Sequence, residues 1–286
     1  MDQAHPDLAV LNSIRSAIEA RAGGAERLQS TLPHILQDAI DFVIDPIRTA
    51  RTTIGELDNV EKTFIGLKVE HFFRDFIDVP KGVRDLRIDG VDVDIKNTVG
   101  VTWMIPPETY RSQEPCVLFA LATERGCCSL GLILARTEYL SQPNRDSKRG
   151  ITAYGRQNIL WIVKDAPLPA SKWAGIDMVR FREMRSIQPG ANRAAAFFRE
   201  NLRKAVHRSI IRSLLFDQED YMKRLRENGG ARDVLRPEGI ALISGTFGAG
   251  AVLQLGLLAL DSDEWIAVKA INIAEEQVLR RHNLID

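Results

Sequence analysis

The sequence predicts an α/β (α+β) protein, a mixed sheet flanked by helices and followed by a smaller domain of helices and strands. Three observations predict it: helical periodicity through the first part, a hairpin with two apolar strands in the middle, and a second helical stretch leading into further apolar strands. Before about residue 55, Leu11, Ile14 and Ile18, then Leu36, Ile40, Val43, Ile44 and Ile47, supply apolar faces at helical spacing. Glu56 to Arg74 continues the pattern with two stripes. Leu57, Val60, Phe64 and Leu67 form one; Ile65, Val69, Phe72, Phe73 and Phe76 form the other. Such a helix is expected to be buried on two sides, which places Glu70 near the core.

The hairpin follows in the run Arg84 to Lys96. Asp89-Gly90 is a dipeptide that tolerates the positive φ of a tight turn. On its second strand Val91, Val93 and Ile95 alternate with Asp92, Asp94 and Lys96, so the two sets face opposite ways. Trp103 to Glu108 holds paired prolines and reads as extended. Cys116–Ala122 and Cys128–Leu134 are too continuously apolar for a half-exposed surface and read as central strands.

A turn-rich connection, Asp165-Ala-Pro-Leu-Pro169, suggests a boundary that divides the chain into domains 1–165 and 166–286. In the second, Ala194 to Leu215 has a helical pattern with Phe197, Phe198, Leu202, Val206, Ile210 and Leu214 inward. A further helix is expected over Asp217 to Asn228, with Asp217 as its N-cap and Gly229-Gly230 as its stop. Strands are expected at Ile240–Ser244, Ala251–Leu258 and Glu264–Ala270. Helices, a glycine turn and strands in this order suggest a winged-helix-like (helix-turn-helix plus strands) module.

Composition narrows the function classes. The 286 residues carry 38 Lys and Arg against 38 Asp and Glu, which is not the balance of a simple DNA-coating protein. No apolar run is long enough to span a bilayer and no basic-then-apolar leader opens the chain, so a cytoplasmic protein with no membrane association is expected. Cys116, Cys127 and Cys128 are odd in number and lie in apolar surroundings, as reduced core thiols would.

The chemistry concentrates on the polar face of the hairpin. Setting carboxylates beside a lysine there invites repulsion and desolvation unless a cation or a reaction uses them. Asp94-Ile-Lys96 alone is a weak signal, because such triplets are common on solvated strand faces. Asp85 precedes it across the hairpin end and Glu70 lies on the helix upstream. Acid-x-Lys with an earlier Asp and a helical Glu is the layout of metal-dependent DNA nucleases. The bland alternative for Glu70 is an ion pair with Arg74 one turn later. Asp92 is a rival ligand. His71, beside two phenylalanines, reads as structural.

Beyond this triplet, the chain resembles the NaeI-type type II restriction endonucleases over most of its length. The matching segments are Glu61-Lys-Thr63 with Gly66 and Val69-Glu70, Gly90-Val-x-Val-Asp-x-Lys96, and Trp103-Met-x-Pro-Pro-Glu108. Further on come Asn144-Arg-Asp-x-Lys-Arg149, Met222-Lys-Arg-x-Arg226, Gly230-Ala-Arg232 and Leu235-Arg-Pro-Glu-Gly239. Ile95 and Asn97 depart from the family pattern, and the segment after Gly239 matches poorly. The resemblance implies a restriction-endonuclease-like core of the PD-(D/E)xK type with a C-terminal DNA-binding domain. It implies a homodimer acting on double-stranded DNA in a restriction-modification system, with two DNA sites per protomer, one cleaved and one acting as effector.

On this footing the catalytic set is Glu70, Asp85, Asp94 and Lys96. Mg²⁺ would be held by Glu70, Asp85, Asp94 and the Ile95 carbonyl, with Asp85 preferred over Asp92 because its spacing to Asp94 matches the family. Lys96 would polarise the attacking water. The local excess of Lys and Arg from Arg199 to Arg236 makes Arg208, Arg212, Lys223, Arg224 and Arg226 the DNA-binding candidates. The competing functions are a mismatch- or modification-directed nicking nuclease and a catalytically inactive DNA-binding regulator; the intact quartet argues against the last.

Overall fold

The computed structural model describes residues 5–100 and 102–286. The chain forms two compact units: the first takes residues up to Asp45 and Thr52–Ser171, the second Pro46–Arg51 and Lys172–Asp286. The boundary expected at Asp165-Ala-Pro-Leu-Pro169 thus falls at the end of the first unit's last strand, and a short early segment belongs to the second.

Helices come first. α1 (Leu8–Arg21) buries Leu11, Ile14 and Ile18, and α2 (Ala25–Ile44) buries Leu28, Leu32, Leu36, Ile40 and Ile44. The short α3 (Pro46–Thr49) lies in the second unit. α4 (Asn59–Phe76) starts at a capping box: Asp58 Oδ1 accepts from Glu61 N at 2.7 Å, and Glu61 Oε2 accepts from Asp58 N at 2.9 Å. Its core stripe is Ile65, Val69 and Phe73. Of the stripe Leu57, Val60, Phe64 and Leu67 only Leu57 is buried, contrary to the sequence reading. Val60, Phe64 and Leu67 are each at least half exposed, because the sheet and α2 cover only one side of α4.

The hairpin is β1 (Leu86–Ile88) and β2 (Val91–Thr98), turned at Asp89 (φ +47°) and Gly90 (φ +86°). Register pairs Leu86 with Val93 and Ile88 with Val91. From β2 the chain crosses through β3 (Met104–Ile105) and α5 (Pro107–Arg111) to β4 (Pro115–Ala122), so the segment expected to be extended throughout ends in a helical turn with Pro107 in its first position. β4 runs parallel to β2, with Asp94 beside Cys116 and Lys96 beside Leu118. β5 (Cys127–Leu134) is antiparallel to β4. After β6 (Arg149–Gly150), which pairs with β3, and α6 (Ala153–Gln157), β7 (Leu160–Pro167) joins the far edge of β5.

The result is a five-stranded mixed sheet, ordered β1-β2-β4-β5-β7 and flanked by helices. Both central strands are buried on both faces, as their unbroken apolar runs required. Val117, Phe119 and Leu121 pack toward the α1, α2 and α4 residues, whereas Cys116 and Leu118 pack with Trp103, Ile105 and Tyr110. All three cysteines are free and buried.

The second unit departs more from the sequence reading. α7 (Met178–Met184) and α8 (Gly190–Glu200) are followed by β8 (Val206–His207) and α9 (Arg208–Leu214), in place of one helix over 194–215. Arg203 takes φ +60° and gives its N–H to Ala267 O, and Val206 pairs with Trp265. Sheet pairing therefore overrides local helical preference. No helix covers 217–228. Asp217 does not cap one, because it grips the fully buried Arg193 through two hydrogen bonds of 2.7 and 3.1 Å. Asp220 caps a single 3-10 turn, Tyr221–Arg224, instead.

α10 (Ala231–Leu235) follows a glycine pair at which Gly230 allows no side chain, since a Cβ there would stand 2.2 Å from Arg226 O. β9 (Ile240–Ser244) and β10 (Glu264–Lys269) are strands as expected. Ala251–Leu258 is not a strand. Ser244 caps α11 (Gly245–Gln254) there, and Val252 turns inward to Ile243 and Ile266. α12 (Ile273–Arg281) closes the unit around a three-stranded antiparallel sheet ordered β8-β10-β9. No helix among the described residues is long and apolar enough to cross a membrane.

Candidate active site

β2 carries the core of the site. Asp94 is almost wholly buried, and both its oxygens are held: Oδ1 accepts from Lys96 Nζ at 2.6 Å and Oδ2 from Thr109 Oγ1 at 2.7 Å. Lys96 lies two residues on, so the pleat sets it on the same side of the strand. Its ammonium also donates to Ile95 O at 2.9 Å. Asp85, just before β1, accepts from Ile95 N through Oδ2 at 2.8 Å. The hairpin register thus brings the two aspartates together. Burial pushes the Asp85 carboxyl up to about 6, and its hydrogen bond with Asp94 and the nearby Glu70 charge add to the rise.

Glu70 comes from α4. With Asp85, Ile95 and Lys96 it lines a cleft of about 650 Å³, bounded by Asn59, Lys62, Gly66, Thr98, Met104 and Lys148. Its pairing with Arg74 also exists, at 3.3 Å. The two readings of Glu70 are compatible, since that long ion pair leaves the carboxylate on the cleft wall. Asp92 lies outside: Oδ1 accepts from Val83 N at 2.7 Å and fixes the loop before β1, tight against Gly82. His71 is exposed and does not line the cleft.

Sequence reasoning did not find Thr109. It sits on α5, outside the acid-x-Lys pattern, and only the β2–β4 crossover brings it to Asp94. The one available signal was its place immediately after the block Trp103 to Glu108. Arg84 was also passed over. It donates to Glu114 Oε1 and Oε2 and to Glu108 O, bracing the strand ends around Asp94.

The donors are all oxygen, from Glu70, Asp85, Asp94 and the Ile95 carbonyl, and so suit a hard divalent cation. Among the described residues no three acidic, histidine or cysteine side chains stand in a ready-made ligand cage. Two of those oxygens, Asp94 Oδ1 and Ile95 O, are occupied by the Lys96 ammonium, which takes the position of a positive charge between them.

The five basic residues singled out in the second unit do not share one surface. Arg208 and Arg226 line a hollow of about 510 Å³ with Arg232, Phe247 and Trp265. Arg208 is bound there to Asp263 at 3.0 Å. Arg212 lines a different hollow with Arg185 and Phe216. Arg224 donates to Gln218 at 2.6 Å, and Lys223 is exposed.

Comparison with known proteins shows the family. The family described as Restriction endonuclease NaeI matches residues 27–278, which takes in the cleft and most of the second unit. The chain belongs to the NaeI restriction endonuclease family. It is 31% identical over 218 residues to the Type II restriction enzyme NaeI of Lentzea aerocolonigenes, covering 73% of this chain and 68% of that one. Membership of the NaeI family makes the chain a type II restriction endonuclease, a DNA-binding hydrolase that cuts DNA at specific sites. Enzymes of this kind generally use a divalent metal.

Proposed function

We propose that the cleft between α4 and β2 performs Mg²⁺-dependent hydrolysis of a phosphodiester in each strand of double-stranded DNA. The observation that carries this reading is the buried Asp94 carboxylate, locked between Lys96 and Thr109 and joined by Asp85, which with Glu70 and Lys96 lines an open cleft. Burying a carboxylate and crowding a second against it is unfavourable unless something cationic is served by both. Glu70, Asp85, Asp94 and the Ile95 carbonyl would hold the metal. When bound, Mg²⁺ supplies charge neutralisation at the scissile phosphate and an activated water.

This chain's own residues do the rest. Thr109 holds Asp94 in one rotamer by keeping Oδ2 occupied. Asp85 ties its position to the β2 backbone through Ile95 N. Lys96 carries no lone pair when protonated and is not a ligand. It moves its charge from Asp94 Oδ1 toward the attacking water and the phosphate oxygens as substrate enters.

The first unit is on this reading the nuclease domain, and the second a winged-helix-like DNA-binding domain that takes an effector duplex, with Arg208 and Arg226, which line one hollow, as its best-placed cations. A two-fold dimer would match the symmetry of a palindromic site. Plasmid cleavage tests the core of the proposal. Wild type should give linear product with Mg²⁺, and none with excess chelator; Asp94→Ala should bind DNA without cutting it. Nicked product alone would favour the nicking-nuclease reading. Undiminished cutting by Asp94→Ala would reject the site.

A further inference from the structure

The cleft-facing side of α4 is a single helical stripe. Asn59, Lys62, Thr63, Gly66, Leu67 and Glu70 recur at spacings of three and four and all line the cleft. Lys62 stands two turns before Glu70, about 12 Å along the axis. Between them Gly66 has no side chain, and only Asn97 of β2 lies against its open position, at ordinary contact distance. The stripe is therefore a carboxylate at one end, a gap, and a lysine at the other.

Across the cleft stands Lys148, on the loop leading into β6, whose pairing places Gly150 beside Met104. This loop is tightly built although exposed. Asn144 Oδ1 accepts from Asp146 N at 3.0 Å and from Lys148 N at 2.9 Å, and Asn144 N donates to Lys148 O at 2.8 Å. Tyr110 donates its hydroxyl to Ser147 O at 3.2 Å, and the Arg149 guanidinium lies over the Tyr110 ring at 4.8 Å. The loop is thus pinned to α5, the helix that also carries Thr109. Three lysines line the cleft, Lys62, Lys96 and Lys148. Only Lys96 has a carboxylate partner among the described residues.

We infer that Lys62 and Lys148 are a substrate clamp: their ammonium groups contact the phosphates flanking the one cut at the Asp85–Asp94 centre, with Asn144 as the positioning residue for Lys148. This inference rests on the nuclease reading of the cleft and deepens it. Unpaired cations on opposite walls of an acid-floored cleft match an incoming polyanion that must approach carboxylates despite repulsion. Phosphate contacts of this kind fix register and carry no sequence information themselves. The built Asn144 turn reduces the side-chain and backbone ordering left to be done when DNA enters.

The test uses full-length wild type, Lys62→Ala, Lys148→Ala and Asn144→Ala, with Lys164→Ala, an exposed lysine outside the cleft, as control. The probe is a labelled duplex spanning the cut site located by end sequencing, with Ca²⁺ replacing Mg²⁺. Each cleft lysine variant should lower the slope of log affinity against log salt by about 0.9, and Lys164→Ala should not. Duplexes with single uncharged methylphosphonates beside the cut position then locate the contact. A neutral linkage that weakens wild type but not Lys148→Ala marks the phosphate that Lys148 holds. Asn144→Ala should reproduce part of the Lys148→Ala loss with unchanged thermal stability. Wild-type salt slopes in both lysine variants, with Asp94→Ala still inactive, would overturn the clamp and leave the nuclease reading standing. Loss of cleavage activity from the wild type itself would instead remove the reading on which the clamp rests.

Discussion

The β1–β2 hairpin and the stretch from Asn201 to Asn228 are the two regions of highest charge interest in the chain, and they behave oppositely. In the hairpin, charges converge: Asp85, Asp94 and Lys96 meet within hydrogen-bond distances on one buried floor. In the second region the paired charges disperse to separate partners, Lys204 to Gly175 O among them. Arg203 binds Glu275, Arg208 binds Asp263 and Arg193 binds Asp217. The difference is one of backbone. A strand pair with fixed register forces side chains together whatever their charge. An irregular segment lets each residue find its own partner. Convergent charge in which carboxylates outnumber the one cation among them marks a site.

Several substitutions sharpen that contrast. The largest effect is expected at Arg193, which is fully buried and donates to Ile187 O, Leu214 O and both Asp217 oxygens. The Arg193 partnership holds the Asp217 carboxyl well below the usual carboxylate range. Asp217→Asn strands a buried cation and should destabilise the second unit by roughly 3 kcal/mol, read by urea denaturation. A change under about 0.5 kcal/mol would mean that the pair is not the scaffold element its burial suggests.

Thr109→Val should act on the site and leave the scaffold alone. It removes one hydrogen bond to Asp94 with little change in shape, so cleavage should slow roughly tenfold while the urea midpoint hardly moves. Equal losses of rate and stability would show that Thr109 belongs to the core rather than to the positioning of Asp94. Gly66→Leu should be tolerated in folding, since the position faces open cleft, yet weaken DNA binding roughly tenfold by filling the path between Lys62 and Glu70. Unchanged affinity would place the DNA elsewhere.

The smallest effect concerns Asp7. Burial pushes its carboxyl up, but hydrogen bonds from Arg136 and Tyr139 outweigh this and hold it below its ordinary 3.8. A lowered folded value means that its contribution is complete above about pH 4 and is lost as pH falls below that. Thermal midpoints of wild type should therefore drop more steeply than those of Asp7→Asn between about pH 4 and 2. Parallel curves would show that the Asp7–Arg136 pair contributes nothing.

Much of the first unit was legible because its signals are local and repeat. Asp89-Gly90 fixes a turn, alternation fixes the faces of β2, and unbroken apolar runs fix β4 and β5. Two things were not legible there. Thr109 reaches Asp94 only through a crossover connection whose geometry no spacing encodes. The exposed Val60, Phe64 and Leu67 looked like core, since periodicity shows that a helix face is apolar but not what covers it. In the second unit tertiary partners override local pattern. Residues 203–207 follow β10 against their helical pattern, and 251–254 belong to a helix that Ser244 caps rather than to a strand. Asp217 carries a capping side chain, but a buried arginine claims it first.

The most direct test of the central claim separates the ligand from the lysine. Mn²⁺ or Ca²⁺ binding to full-length wild type, Asp94→Ala and Lys96→Ala, measured by calorimetry with DNA present, should be lost in Asp94→Ala and retained in Lys96→Ala. Cleavage should fall by at least about a hundredfold in both. Retained metal affinity in Asp94→Ala, or equal loss of it in the two variants, would contradict the assignment of Asp94 as ligand and of Lys96 as the charge that acts beside it.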